Sequence, residues 1–235
     1  MSKRAIILAG GKGTRLKPYT VSLPKPLVPI VEKPIIEIII QQLVKHGFDH
    51  ITLTINHMAE IIKAFCGDGL KWGTQIDYSL EDRPLSTMGP LKLIGDLPDN
   101  FLVMNGDVLT NLNFSEFYDF HINNHNLFTI SSYERKQINN YGLLDVNNEG
   151  FLCNFREKPV HIFEVSMGIY MLNKKVLDCI PENMAFGFDQ LMHSMLKEKK
   201  EVVVKKHQGY WLDIGRPDDY EQAAIDYKKI VRKSL

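Results

Sequence analysis

Segment 8–16 reads Leu-Ala-Gly-Gly-Lys-Gly-Thr-Arg-Leu, so Gly10, Gly11 and Gly13 directly follow a short apolar run. Without β-carbons, their backbone N–H groups can close on phosphate oxygens, which makes the loop a candidate nest for a polyphosphate. No Gly-Lys-Ser/Thr closes it, which excludes a Walker A loop, and it lacks the third Gly and the acidic partner of a dinucleotide fingerprint. A structural turn would use the same glycines. Arg15 separates the two readings: its guanidinium grips two phosphate oxygens at once and keeps its charge, which suits a departing pyrophosphate. Further on, Pro24 and Pro26 confine the backbone of Lys25 and present its ammonium from a stiff extended segment. The alternative for Lys25 is a surface charge in a proline-rich loop. Ser22-x-x-Lys25 also matches the pattern of penicillin-binding proteins, but Pro24 would break the helical turn that pattern needs.

Two acids sit at or just after predicted strands: Asp107 in Asn-Gly-Asp, and Asp213 in Trp-Leu-Asp-Ile-Gly. Each alone could be a loop or helix cap. Beside a phosphate nest, paired carboxylates are how Mg²⁺ is held, so the set predicts a metal site for phosphoryl or nucleotidyl transfer.

The elements that must position these groups follow from the apolar patterning. Residues 5–9 form a continuous apolar run, expected as a strand buried on both faces of a parallel sheet, with the glycine loop at its carboxyl end. Pro34 and Gly47 bracket a helix over 34–47. Strands follow at 51–55, 76–80 and 101–104, and helices at 59–65 and 87–94. This alternation predicts a doubly wound α/β layer. From about 127 the texture changes to strands at 127–134, 142–146, 151–155 and 165–172. Asn147-Asn148-Glu149-Gly150 forms a hairpin turn between the second and third of these. A helix at 188–197, a strand at 201–206 and a closing helix at 217–231 complete the chain. The expected organisation is one domain over 1–235: a nucleotide-binding part over about 1–115, a β-rich part over about 116–220, and the C-terminal helix.

The whole-chain balance narrows the partners. The 28 basic and 28 acidic residues cancel, so no long-range field draws the chain to nucleic acid or anionic lipid. Cys66, Cys153 and Cys179 are odd in number and lack Cys-x-x-Cys spacing, which predicts buried thiols in a reducing cytoplasm, without disulfide or zinc. The apolar run near the N-terminus is too short for a signal segment or a membrane span, so a soluble cytoplasmic protein is expected, with a homo-oligomer left open.

With these residues in place, the chain resembles the sugar-1-phosphate nucleotidyltransferase family from residue 4 to about residue 222. The matching segments are the glycine loop, Pro24-Lys-Pro-Leu27, Pro84-Leu-x-Thr-x-Gly89, Asn105-Gly-Asp107, Tyr141-Gly142, Glu157-Lys-Pro159, Ser166-x-Gly-x-Tyr170 and Trp211-x-Asp-Ile-Gly215. The resemblance implies a Rossmann-like nucleotidyltransferase fold, a mixed sheet with helices on both faces and an added antiparallel β portion. It implies an enzyme joining a nucleoside triphosphate to a sugar 1-phosphate. Leu8, Ala9, Gly10, Gly11, Gly13, Thr14 and Arg15 would hold the triphosphate, and Lys25 the α-phosphate. Glu81, Pro84, Thr87 and Gly89 would lie along base and ribose. Asp107 and Asp213 would bind Mg²⁺, with Arg15, Lys25 and Asp107 as the catalytic set. Asn105, Gly142, Glu157, Lys158, Ser166 and Gly168 would face the sugar phosphate.

Ser86 stands where the family often has Gly, a variant closer to the guanylyltransferase-like branch. Glu81 adds a physical hint: a carboxylate accepts from guanine N1–H and N2–H₂ but cannot donate to a thymine or uracil carbonyl, so GTP is favoured. Its alternative is a solvated loop acid whose backbone reads the base. Ser166 puts a hydroxyl where many relatives place an amide, leaving the sugar open. The chain stops soon after the Trp-x-Asp motif, so a second catalytic activity is not expected.

Other constellations point elsewhere than metal. His121-x-x-x-His125 has helical metal spacing but no adjacent catalytic Glu, and reads as a polar helix face. Asp145-x-Asn-x-Glu-Gly150 imitates an EF-hand opening, yet its twelfth position is Arg156, which leaves a hairpin turn. Trp72 and the Tyr and Phe residues are expected in the core. Two competing functions remain: a catalytically silent paralogue that binds a sugar nucleotide and regulates a partner, and transfer to a different phosphate. The intact Arg15, Lys25, Asp107 and Asp213 favour the enzyme over the silent paralogue.

Overall fold

The computed structural model describes residues 2–229. Strand β1 (Arg4–Leu8) leads through the glycine loop to a short ladder, β2 (Pro29–Ile30) with β3 (Lys33–Pro34), and then to α1 (Ile35–Lys45). Helix α1 opens on Pro34 and closes where the Gly47 N–H reaches the Val44 carbonyl, as the bracketing residues predict. β4 (His50–Ile55), α2 (Ala59–Cys66), β5 (Gln75–Leu80), β6 (Asn100–Asn105) and β7 (Val108–Thr110) follow, then α3 (Phe114–Asn123). The second half comprises β8 (Phe128–Ile138), β9 (Leu143–Val146), β10 (Leu152–Arg156), β11 (Val160–Asn173), α4 (Phe188–Lys197), β12 (Val202–His207), β13 (Trp211–Asp213) and α5 (Pro217–Lys229). Residues 230 and 231 of the expected closing helix lie outside the described residues.

The main sheet has the order β12-β8-β11-β6-β1-β4-β5. Its β6-β1-β4-β5 half is parallel, while β11 runs antiparallel to both β6 and β8. Successive side chains on a strand point to opposite faces, and the sheet therefore divides two cores. Ala5 and Ile7 pack with α1 and α2 on one face, while Ile6, Phe101 and Val103 pack with Leu191 and Met195 of α4 on the other. The mixed sheet with helices on both faces is the expected one.

Several expectations are corrected. Segment 87–94 is a 3₁₀ helix over Gly89–Leu93, not an α-helix: the Met88 and Gly89 N–H groups are both held by the Phe186 carbonyl, and five residues are too few to propagate an α-helix. Strands β8 and β11 outrun their apolar cores: beyond Ser132 and Ser166 each pairs with the other over 133–138 and 160–165, forming a projecting ribbon. The hairpin turn at 147–150 is present, with Asn147 Oδ1 accepting from the Glu149 and Phe151 N–H groups, and it joins β9 to β10. Tyr141 and Phe151 on this arm are 78% and 67% exposed, so not all aromatics are core. Trp72 does pack, against Phe65. Of the thiols only Cys66 is buried, its pKa pushed up to about 12 by desolvation, while Cys153 is exposed.

His121 also departs from the expected polar helix face. It is 1% exposed, its Nε2 donates to Asn100 Oδ1 (3.2 Å), and its Nδ1 accepts from the Thr129 hydroxyl (2.8 Å). Asn100 Oδ1 can only accept, which fixes this tautomer. His125 follows the helix at φ +52°. Desolvation pulls the His121 pKa down to about 4. As pH falls, the unfolded chain therefore takes up this proton first, and the group's contribution is lost between pH 6.5 and about 4. The loss amounts to about 3 kcal/mol. Urea unfolding of wild type and His121→Gln at pH 7 and pH 4.5 should show a shallower decline in the variant; parallel declines would contradict this account.

Candidate active site

Ligands of open α/β sheets bind outside the carboxyl ends of the parallel strands, and here Leu8 and Asn105 end β1 and β6 in register with Thr54, the last but one residue of β4. The glycine loop leaves from this row, its first N–H (Ala9) donating to the Thr54 carbonyl at 2.9 Å. A cavity of about 310 Å³ opens there between Gly10 and Gly11 on one side and Glu81, Pro84, Ser86 and Thr87 on the other, with Asn105 and Asp107 at its base. Gly10 lets Glu81 come close: a β-carbon there would lie 2.8 Å from Glu81 Oε1 and would push that carboxylate aside. Glu81 is 7% exposed, its Oε2 accepts from the Leu85 N–H (3.0 Å), and burial raises its pKa against that hydrogen bond. It is thus not a solvated loop acid. The Thr87 hydroxyl accepts from the Phe188 N–H at the start of α4 (2.9 Å). Gly89 lies against the backbone of Met184 and Phe186, away from the cavity lining.

A smaller recess joins this cavity, walled by Ala9, Gly11, Lys25, Pro26 and Asp107. Lys25 does not stand on an extended segment: Pro24 is extended, but Lys25 itself starts a 3₁₀ turn over Lys25–Leu27. That turn aims its ammonium inward, where it pairs with Asp107 Oδ2 and is 11% exposed. The surface-charge alternative is excluded by that burial. Gly13 precedes a 3₁₀ turn over Thr14–Leu16, which carries Arg15.

Asp107 and Asp213 meet through two short strands absent from the sequence reading. β13 pairs antiparallel with β7, setting Asp213 opposite Val108, and the Ile214 N–H donates to the Asp107 carbonyl (3.0 Å). Burial first, then the Asp107 charge, push the Asp213 pKa up, while Lys25 and Arg15 work the other way. Asp107 Oδ1 is buried with no hydrogen-bond partner. Such an oxygen is expensive to desolvate unless a ligand satisfies it. Two like-charged carboxylates with one orphaned oxygen fit a hard cation. No group of three His, Cys, Asp or Glu side chains suited to a metal occurs among the described residues, so phosphate oxygens and water would complete its shell.

The residues assigned to a sugar phosphate divide. Asn105 lines the main cavity, and Gly168 at φ +72° leaves room for it: a β-carbon at Gly168 would lie 2.5 Å from Asn105 Nδ2. Ser166 Oγ accepts from the Gly168 N–H (3.2 Å) and donates to Tyr170. Gly142 sits beside Glu157 on the arm, and Glu157 and Lys158 are exposed; none of the three lines the cavities around the carboxylates. Gly168→Ala should lose about 1–2 kcal/mol from its left-handed backbone alone, before the clash with Asn105 is counted. An unchanged urea midpoint in that variant would contradict the assignment.

A second cavity of about 420 Å³ lies beyond Asp213, lined by Arg15, Tyr133, Arg135, Trp211, Arg216 and Asp219 among others. Trp211 is held by its Nε1–H to the Met167 carbonyl (3.0 Å) and by the Tyr133 ring (5.5 Å between centroids). The sequence reading did not assign Thr54, Ser86, Arg135 or Arg216 to the site. Thr54 was open to discovery as the last but one residue of a predicted parallel strand. Arg135 and Arg216 carried no local signal.

Among known proteins, the family model described as Nucleotidyl transferase matches residues 4–230. A UTP–glucose-1-phosphate uridylyltransferase of Synechocystis is 32% identical over 94% of this chain and 62% of its own length. A mannose-1-phosphate guanyltransferase of Debaryomyces hansenii is 33% identical over 98% of this chain and 66% of its own. The chain thus spans a little under two thirds of the length of these curated relatives. The crystal structure of HddC from Yersinia pseudotuberculosis superposes with TM-score 0.76 at 28% identity, covering 96% of this chain and 99% of that one, and HddC has also been solved complexed with GMP-PN. The chain belongs to the nucleotidyl transferase family.

Proposed function

We propose that this protein transfers a nucleoside monophosphate from a nucleoside triphosphate, GTP above others, to a sugar 1-phosphate and releases pyrophosphate. The observation that carries the reading is the Lys25–Asp107–Asp213 cluster, with its orphaned carboxylate oxygen, set where the glycine loop leaves β1. An oxygen of the sugar phosphate forms the new bond to the α-phosphorus, and the bond to the β-phosphate oxygen breaks with its electron pair leaving on pyrophosphate. The nucleophile is already anionic, so no general base is needed; the protein positions both phosphates and offsets charge. Lys25 would release Asp107 to face the α-phosphate, and Arg15 would face the leaving group. Asp107 and Asp213 would hold Mg²⁺, which when bound neutralises phosphate charge.

The base preference rests on Glu81. Buried beside Gly10, its Oε1 has no protein donor in the hydrogen-bonding described, and a guanine edge offers two N–H groups. Relatives named for both guanyl and uridylyl transfer are equally near, so this chain's own carboxylate supports the preference. No helix of the described residues is long and apolar enough to cross a membrane.

A pyrophosphate-release assay crossing four nucleoside triphosphates with a panel of sugar 1-phosphates tests the reading. Release should need both substrates and be fastest with GTP. No release with any pair would overturn it.

A further inference from the structure

Seven arginines occur in the chain, and Arg232 lies outside the described residues. Of the other six, Arg4 binds Asp96 and Thr52, Arg83 binds the Asn183 carbonyl, and Arg156 binds Asp145. The guanidiniums of Arg15, Arg135 and Arg216 have no hydrogen-bond or ion-pair partner among the described residues. All three line the single cavity beyond Asp213. Free guanidiniums scattered on a surface are ordinary. Three converge here on one cleft whose lining offers two carboxylates, Asp213 and Asp219, neither within ion-pair distance of a guanidinium, and a planar fork of donors fits phosphate oxygens.

The fold brings them together from three separate elements. Arg15 comes from the glycine loop, and a β-carbon at Gly215 would lie 3.8 Å from its Nη2. Arg216 follows at the start of α5, where its backbone N–H donates to Asp219 Oδ2 (3.0 Å) and fixes the approach of the chain. Arg135 lies two residues along β8 from Tyr133 and so shares its face. Tyr133 packs on Trp211, which stands two residues before Asp213 on β13, so Arg135 is carried toward the Asp213 end of the cleft.

The two cavities meet at the carboxylates: Asp107 lines the one that holds Glu81, Asp213 the one that holds the arginines. A triphosphate with its base near Glu81 and its α-phosphate at Asp107 would extend its remaining phosphates past Asp213. We propose that Arg135 and Arg216 join Arg15 as a clamp on the β- and γ-phosphates, and hold pyrophosphate after transfer. This rests on the nucleotidyl-transfer reading for its chemistry. When the bond from the α-phosphorus breaks, the electron pair settles on the pyrophosphate oxygen, and the three guanidiniums offset the charge that develops there. Arg15 follows the glycine loop directly, on the turn after Gly13, while Asn105 lines the other cavity, which favours the outer phosphates of the triphosphate over the sugar phosphate as the occupant.

Binding of inorganic pyrophosphate and of GMP to the full chain with Mg²⁺, measured by calorimetry, tests the clamp. GMP shares the base, ribose and α-phosphate but has nothing for the arginines to hold. Arg135→Gln and Arg216→Gln should each weaken pyrophosphate roughly tenfold or more, as for loss of a charge-assisted hydrogen bond. GMP should bind within about twofold of wild type, as expected where no contact is lost. Arg135→Lys should recover only part of the loss, since an ammonium cannot replace the fork. Pyrophosphate bound as tightly by both Gln variants would overturn the clamp, as would variants that lose affinity for a sugar 1-phosphate instead. Both positions are exposed, so the variants should fold, and unchanged thermal melting confirms it. Should the wild type release no pyrophosphate with any substrate pair, the transferase reading fails, while selective loss of pyrophosphate binding in the variants would still establish the anion site.

Discussion

Lys25→Ala should lower turnover by about 10²–10³-fold, the range for removing one preorganised donor to a developing oxyanion, while the KM for the triphosphate moves far less. The asymmetry follows from position. Lys25 is buried in the recess with Asp107, Ala9 and Gly11, not along the cavity that holds Glu81, so most of the nucleotide's contacts survive its loss. The triphosphate's outer phosphates would still have Arg15 and the glycine loop. Removing the ammonium also leaves Asp107 without its ion pair, which adds an uncompensated carboxylate beside Asp213. Steady-state kinetics with saturating acceptor separate the two effects. A variant with wild-type turnover and a raised KM would move Lys25 from the α-phosphate to simple substrate binding.

The second large effect is expected from Asp107→Asn. The amide keeps the shape of the carboxylate and can still accept from Lys25, but it removes one of two charges that could hold a cation. Activity should fall by three orders of magnitude or so, and the residual rate should no longer respond to Mg²⁺. Stability should not follow activity down. The substitution removes the Asp107 charge that helps raise the Asp213 pKa, but it also takes the ion-pair partner from the Lys25 ammonium and sets an amide N–H₂ where the partnerless Oδ1 stood, so the gains and losses in stability oppose each other. Folding stability at neutral pH should therefore change far less than activity does in Asp107→Asn, which urea unfolding of wild type and variant would check. An inactive variant that is also strongly destabilised would point to a structural role for Asp107.

The glycine loop and Lys25 were legible because each is local: an apolar run, then residues without β-carbons, then a lysine between prolines. Asp107 and Asp213 were each legible as strand-end acids, but their meeting was not. It depends on Val108–Thr110 pairing with Trp211–Asp213, strands too short to show a two-residue period. The ribbon of β8 and β11 was underestimated for a related reason. Its outer residues are stabilised by pairing with each other and not by burial, so they carry no apolar pattern. His121 and His125 read as a helix face, but the buried side and the extent of α3 were not legible, because one of its inward positions is His121, satisfied by Thr129 and Asn100, where an apolar side chain would have completed the helical spacing. The second cavity assembles Arg15, Arg135 and Arg216 from loop, strand and helix start, and nothing in their neighbourhoods in the sequence announces it.

In the proposed transfer the acceptor attacks the α-phosphorus at the Lys25–Asp107–Asp213 centre. Incubating the protein with a sugar 1-phosphate and GTP labelled at either the α- or the γ-phosphate, then separating the products, tests it most directly. The account predicts that the α label appears in a sugar nucleotide and the γ label in pyrophosphate, in equal amounts. A γ label found on the sugar, or released as orthophosphate without a sugar nucleotide, would contradict it.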